Sequence, residues 1–116
     1  MIREMCKSKI HRATVTEVNA DYSGSIMIDK DLMDRADIIT YEKVLVANIG
    51  NGERFETYAV PAPAGSGKVA VLGGAARLAS IGDKLIIMSF VLLEDKEAKN
   101  HRQLLILVDE KNKPVK

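Results

Sequence analysis

Residues 43–60 read KVLVANIGNGERFETYAV: two runs rich in β-branched and aromatic residues, KVLVANI and RFETYAV, around the tripeptide Gly50-Asn51-Gly52. Glycine and asparagine accept the positive φ that a tight turn between antiparallel strands demands. The stretch therefore predicts a β-hairpin, with strands over 43–49 and 54–60. Outward from it, similar runs recur at short spacing: HRATVTEV (11–18), SIMIDK (25–30), KVAVLG (68–73), DKLIIMSFVLL (83–93) and QLLILVD (103–109). PAPAGSG (61–67) reads as a turn, because proline cannot donate to a central ladder. Short helical pieces fit between the strands at 29–36, where Asp29 is a suitable N-cap, at 74–79 and at 93–100. Many short strands with frequent turns imply a closed barrel or a sandwich. The charged ending DEKNKPVK (109–116) is expected to fray.

Composition narrows the function classes. The 116 residues fit one domain, and 47% are apolar, enough for a core. No apolar run approaches the roughly 18 residues of a membrane helix. MIREMCKSKIH (1–11) has basic residues but no apolar stretch after them, so it does not read as a signal peptide. Cys6 is the only cysteine, which excludes an internal disulfide and fits a reducing, cytoplasmic setting. A net charge of +1 gives no electrostatic case for nucleic acid or an acidic membrane. Tryptophan is absent and aromatics are 4%, so a base-stacking platform is not expected. His11, His101 and Cys6 do not make a metal-ligand spacing, so no metal is expected. GSGK (65–68) would need Gly at Ala62 and Ser or Thr at Val69 to be a phosphate loop, and reads as a turn.

The stretch that carries chemistry is NADYSGSIMIDKDL (19–32), where Gly24-Ser25 stands just before an apolar run. A serine hydroxyl can attack the carbonyl of the residue before it through a five-membered ring. The amide becomes an ester, an N→O acyl shift, and glycine at the preceding position leaves the attack unobstructed. β-Elimination then gives dehydroalanine, and hydrolysis with loss of ammonia leaves a pyruvoyl ketone at the head of residues 25–116. Such a ketone condenses with amines and accepts electrons, as pyridoxal phosphate does, so no PLP is needed. From the dipeptide alone, Ser23-Gly24-Ser25 reads first as a flexible turn, since Gly and Ser are the commonest turn residues.

The surroundings favour the chemical reading. KIHRATVTE (9–17), YSGSIMID (22–29), NGERFETYAV (51–60), GGAARLASIGDKLIIMSF (73–90) and VDEKN (108–112) follow one another in the order and spacing of a known family. Over residues 1–110 the chain resembles the pyruvoyl-dependent aspartate decarboxylases. The resemblance implies a mainly β fold, a double-psi β-barrel with short helices. It also implies a homotetramer with active sites between subunits. The proenzyme is cut between Gly24 and Ser25 into 1–24 and 25–116, and the mature enzyme turns L-aspartate into β-alanine for pantothenate synthesis.

The same resemblance assigns roles. Ser25 becomes the pyruvoyl group and forms the Schiff base with the substrate amine, and Tyr58 is the proton donor. Lys9 and Arg54 hold the substrate carboxylates; the planar fork of Arg54 suits the one that stays. Thr57 and His11 lie near the cleavage point, with Thr57 the partner of the scissile carbonyl, and Tyr22 beside it. Gly73, Gly74 and Ala75 line the site through their backbone. Two positions depart from the family pattern. Leu72 replaces an asparagine of the pyruvoyl surroundings, which predicts slow self-cleavage for want of a donor. Ala47 replaces a bulky aromatic near the substrate, which alters pocket shape. The alternative is an uncleaved, non-catalytic β-barrel that serves as a binding module.

Overall fold

The hairpin forms as read. β4 (Lys43–Asn48) pairs antiparallel with β5 (Arg54–Ala62), Val44 opposite Thr57 and Ala47 opposite Arg54. The computed structural model describes residues 1–115. Its other strands are β1 (Ile2–Thr14), β2 (Glu17–Asn19), β3 (Ser25–Asp29), β6 (Val69–Leu72), β7 (Lys84–Glu94), β8 (Leu104–Val108) and β9 (Pro114–Val115). The sheet order is β2-β6-β3-β5-β4-β7-β1-β8-β9. Parallel pairs (β1/β8, β2/β6, β3/β5) stand among antiparallel ones, a mixed pattern that no simple meander produces. After β1 the chain turns through Val15 and Thr16 straight into β2, at the far end of the order. There the Val15 amide donates to Asp83 and the Thr16 amide to Val69, which closes the wall of the barrel.

Alternation sets the two faces of that wall. Ile10 on β1, Ile26 and Ile28 on β3, Val44 and Val46 on β4, and Leu85 and Ile87 on β7 all point inward and are fully buried. Helix α1 (Lys30–Arg35) adds Leu32 and Met33 to this core. A 3₁₀ helix (Gly73–Leu78) and a one-turn helix α2 (Asp95–Ala98) stand where short helical pieces were expected.

Three local readings change. β1 begins at Ile2, not near His11, because Ile2–Cys6 pairs with Phe90–Glu94 of β7 as a two-stranded arm. The arm buries little on either face, so the sequence there shows no alternation to detect. The turn expected at 61–67 starts later, since Pro61 and Ala62 belong to β5 and pair with Ile28 and Asp29. β4 has ended opposite Tyr58, so β5 is an edge on that side, where proline is tolerated. The ending does not fray over 109–115. Asn112 is fully buried, in a left-handed backbone that asparagine tolerates. Its side-chain amide donates to the carbonyls of Thr14 and Gly67 (both 2.8 Å) and its oxygen accepts from the Thr14 amide (2.7 Å). Lys116 lies outside the described residues.

Asp29 caps α1, as its position implied, and does more. Its buried carboxylate accepts from the amides of Asp31 (2.9 Å), Gly65 (3.0 Å) and Gly67 (2.8 Å), tying the end of β3 to the turn before β6. Burial alone would push this carboxyl up. The Gly67, Asp31 and Gly65 amides, with the charge of Lys113, outweigh it and hold the group below the usual carboxylate range.

Asp29→Ala should lose about 2–4 kcal/mol at pH 7, from one lost cap and two further amides left without a partner. A lowered folded value gives stability that is full above the unfolded carboxylate value near 4 and drains below it. The gap between native and variant, read by urea unfolding at pH 7, 5 and 3, should therefore narrow only at the acid end. A gap that stays constant across that range would show that the ionised carboxylate is not the source.

Candidate active site

β3 is short, and both its ends are specified. Asp29 anchors one end. The other is Ser25, paired with Leu72 of β6, while Ile26 pairs with Ala59 of β5. Tyr22, Ser23 and Gly24 before it are exposed, whereas Ser25 is only 5% exposed. The Gly24–Ser25 peptide is thus the point at which a solvated turn enters the barrel wall. Gly73, at the start of the 3₁₀ helix, is buried and packs directly against the Gly24 backbone. Leu72 occupies the cap position of that helix and gives no side-chain hydrogen bond. Gly74 beside it is exposed, and Ala75 leans on the core.

The other nominated residues sit mainly on the outer face of the wall. Arg54 and Tyr58 point outward from β5; Thr57 points inward, opposite buried Val44. Tyr58 makes an edge-on contact with Tyr41, ring centroids 5.9 Å apart at 63°. Tyr41 itself has a φ of +72°, unusual for a bulky side chain, and its amide donates to Ala59 (2.7 Å). Nothing in the sequence singled out Tyr41, since its position depends on that one backbone angle.

Lys9 and His11 share the outer face of β1, half-buried. His11 stands in one row with Ile86, Ala47 and Arg54; Lys9 stands in the next, with Met88, Leu45 and Glu56. In the sheet order three strand steps separate His11 from Arg54, and four separate Lys9 from the strand that begins at Ser25. The structure brings together Tyr22, Gly24, Ser25, Leu72 and Gly73, with Thr57 and Tyr58 on the adjoining strand. It does not bring Lys9 or His11 of the same chain to them, and Arg54 lies in the row of His11, four residues along β5 from Tyr58.

Two concavities lie on this face. One, of about 350 Å³, is lined by Glu4, Glu42, Lys43, Leu45, Glu56 and Phe90 among others, with Lys43 paired to Glu56 at 3.1 Å. The other, about 300 Å³ and shallow, is lined by Lys43, Glu56, Thr57 and Tyr58. Among the described residues no group of three or more His, Cys, Asp and Glu is arranged to hold a metal ion. No described helix is long and apolar enough to cross a membrane.

A family model described as aspartate decarboxylase matches residues 1–115. The chain is 56% identical to a protein named aspartate 1-decarboxylase from Thermoanaerobacter pseudethanolicus, covering 99% of this chain and 98% of that one. It is 54% identical to the protein of the same name from Carboxydothermus hydrogenoformans, covering 100% and 91%. Its backbone is similar to the crystal structure of the rationally designed protein mkDPBB_sym_86, with a TM-score of 0.50 at 16% identity over 70% of this chain and 94% of that one. That likeness bears on the fold alone and makes it a double-psi β-barrel, as expected from the sequence. By the family match and these relatives, the chain belongs to the aspartate decarboxylase family.

Proposed function

We propose that this chain is the precursor of a pyruvoyl-dependent aspartate 1-decarboxylase. It cuts itself between Gly24 and Ser25 and then converts L-aspartate to β-alanine and CO2, supplying pantothenate synthesis in the cytoplasm. The observation that carries the reading is the position of the Gly24–Ser25 peptide. It has a solvated turn on one side and a buried strand start on the other, in a chain more than half identical to proteins of that name.

The cut balances without a co-reactant other than water. The Ser25 hydroxyl adds to the Gly24 carbonyl carbon, the C–N bond breaks, and the hydroxyl proton ends on nitrogen. Loss of the Ser25 Cα proton then breaks the Cβ–Oγ bond and releases residues 1–24 with a terminal carboxylate. One water replaces the nitrogen, which leaves as ammonia, and residue 25 becomes a ketone. Held at residue 25, the ketone would supply an electrophile for the substrate amine and a sink for the electron pair freed when CO2 departs.

The remaining roles belong to side chains. Arg54 holds the carboxylate that stays, and Lys9 adds a second cation. A firm grip on the carboxylate that leaves would stabilise the ground state and slow the reaction. Tyr58 keeps a proton at its hydroxyl for the carbon that lost CO2. Thr57 and His11 serve the scissile carbonyl, Tyr22 flanks it, and the amides of Gly73, Gly74 and Ala75 line the site. Aspartate is far too small to bridge the strands between Lys9 or His11 and Ser25 of one chain. Arg54 stands in the row of His11, so these three residues come together from a neighbouring copy, and the working form is a homotetramer with active sites between subunits. Exposed Phe90, Leu92, Leu105 and Leu107 on the same side of the wall support such burial.

Intact mass is the direct test. The purified chain should separate into 1–24 and 25–116, the larger lacking its amino group; a single uncut chain of 12.7 kDa would favour the binding-module alternative. Ser25→Ala removes the attacking hydroxyl and should abolish both the cut and β-alanine release. β-Alanine formation by the Ala variant would rule out the pyruvoyl route.

Tyr58→Phe should leave the cut intact and lower turnover by about 10²–10⁴-fold, the range of a positioned acid. Undiminished kcat in the cleaved variant would remove Tyr58 from that role. Arg54→Ala should raise the aspartate KM about 10–100-fold, the equivalent of one charge-assisted bidentate contact. If KM stays put, Arg54 holds structure and not substrate.

A further inference from the structure

We infer that Gly73 is a positioning residue for self-cleavage: its bare, left-handed backbone is the surface against which Gly24 is set so that Ser25 can attack. The inference rests on the cleavage reading above. It concerns a steric role that neither Gly24 nor Ser25 can supply.

The glycine of the Gly-Ser pair is the obvious suspect for a special backbone. Yet Gly24 has no left-handed φ, and a Cβ built on it would meet nothing within 4 Å. The constraint lies across the gap. Gly73 has a φ of +78°, and a Cβ built on it would stand 2.4 Å from the Gly24 Cα, 2.7 Å from the Gly24 nitrogen and 3.2 Å from the Tyr22 carbonyl oxygen. All three are backbone atoms, so no flexible side chain can swing aside. Ser25 pairs with Leu72, so residues 72–73 run antiparallel beside residues 24–25, and any shift of one is passed to the other. Reaching the 3.4 Å of ordinary contact from 2.4 Å needs about 1 Å of displacement at the scissile residue. In a reaction that depends on attack geometry, a misplacement of that size is worth roughly 10²-fold in rate.

A glycine at positive φ also resists substitution through backbone strain alone, and Gly82 isolates that effect. It has a φ of +96°, and a Cβ there would meet nothing within 4 Å. The experiment follows cleavage of the native chain, Gly73→Ala and Gly82→Ala by intact mass over time. Thermal melting runs in parallel to show that each variant folds. Gly73→Ala should cleave about 100-fold more slowly than native, while Gly82→Ala loses melting temperature but cleaves within about threefold of native. Native-rate cleavage of Gly73→Ala overturns the proposal, and so does an equal loss in Gly82→Ala. Should Gly73→Ala lack a cooperative melt, the course is repeated in trimethylamine N-oxide, which favours the compact state. Recovery of the melt without recovery of the cut supports the proposal; recovery of both overturns it. A native chain that never cleaves removes the cleavage reading and this inference with it.

Discussion

The buried carboxylate of Asp29 is the interaction on which the arrangement of the site depends. β3 is only five residues long, and a strand so short has few ladder bonds with which to choose its register. A slip by one residue would turn Ser25 to the other face and put Ile26 and Ile28 into solvent. Asp29 removes that freedom by gathering amides from α1 and from both ends of the Gly65–Gly67 turn. The Gly67 carbonyl is in turn held by Asn112, which also locks Thr14 at the end of β1. One end of β3 is therefore fixed to three separate parts of the chain, and the other end, Ser25, inherits its place from this anchor.

That anchor also explains why the ending of the chain is ordered despite its charge. Asp109 turns the segment by accepting from the amides of Lys111 and Lys113, Lys113 donates to the Gly65 carbonyl, and β9 closes on β8. The relevant signal was one buried asparagine at a left-handed position. No pattern of apolar residues announces such a position. The same limit applies to the first half of β1, which is held by ladder bonds to β7 and buries too little to alternate. Where a strand packs one face on the core, as in β3, β4 and β7, the apolar run was legible and the elements fall within a residue of where the sequence put them. The outward set of Arg54 and Tyr58 follows from the parity of β5 alone. The remoteness of Lys9 and His11 from Ser25 does not, because it depends on strand order, and order is decided by long-range pairing that local pattern leaves open.

Position on the wall divides the site into two groups with different physical demands. Ser25, Gly24 and Gly73 form a crowded backbone junction, where the currency is a fraction of an ångström. Lys9, His11 and Arg54 are long polar side chains on an open face beside Leu45, Ile86 and Met88, where the demand is coverage by another surface. A single barrel meets the first demand by itself. In the proposed homotetramer a second copy would meet the second, because only a covered face is dry enough for a carboxylate and a cation to interact strongly.

A cut at Gly24–Ser25 is tolerable only where the fold does not rely on the bond that breaks. The residues on its N-terminal side still carry β1 and β2. β1 stays laddered to β7 and β8, β2 to β6, and Ile10, Ala13 and Val15 stay in the core. Residues 20–24 are exposed and add nothing to that core. Breaking the chain in the turn therefore leaves both fragments bound by contacts that never crossed the scissile peptide. The new end of 25–116 remains pinned by its pairing with Leu72. On the proposed reading the reactive group would be made at a strand end held in place by its pairing with Leu72, and the freedom released by the cut would fall to the exposed residues 20–24.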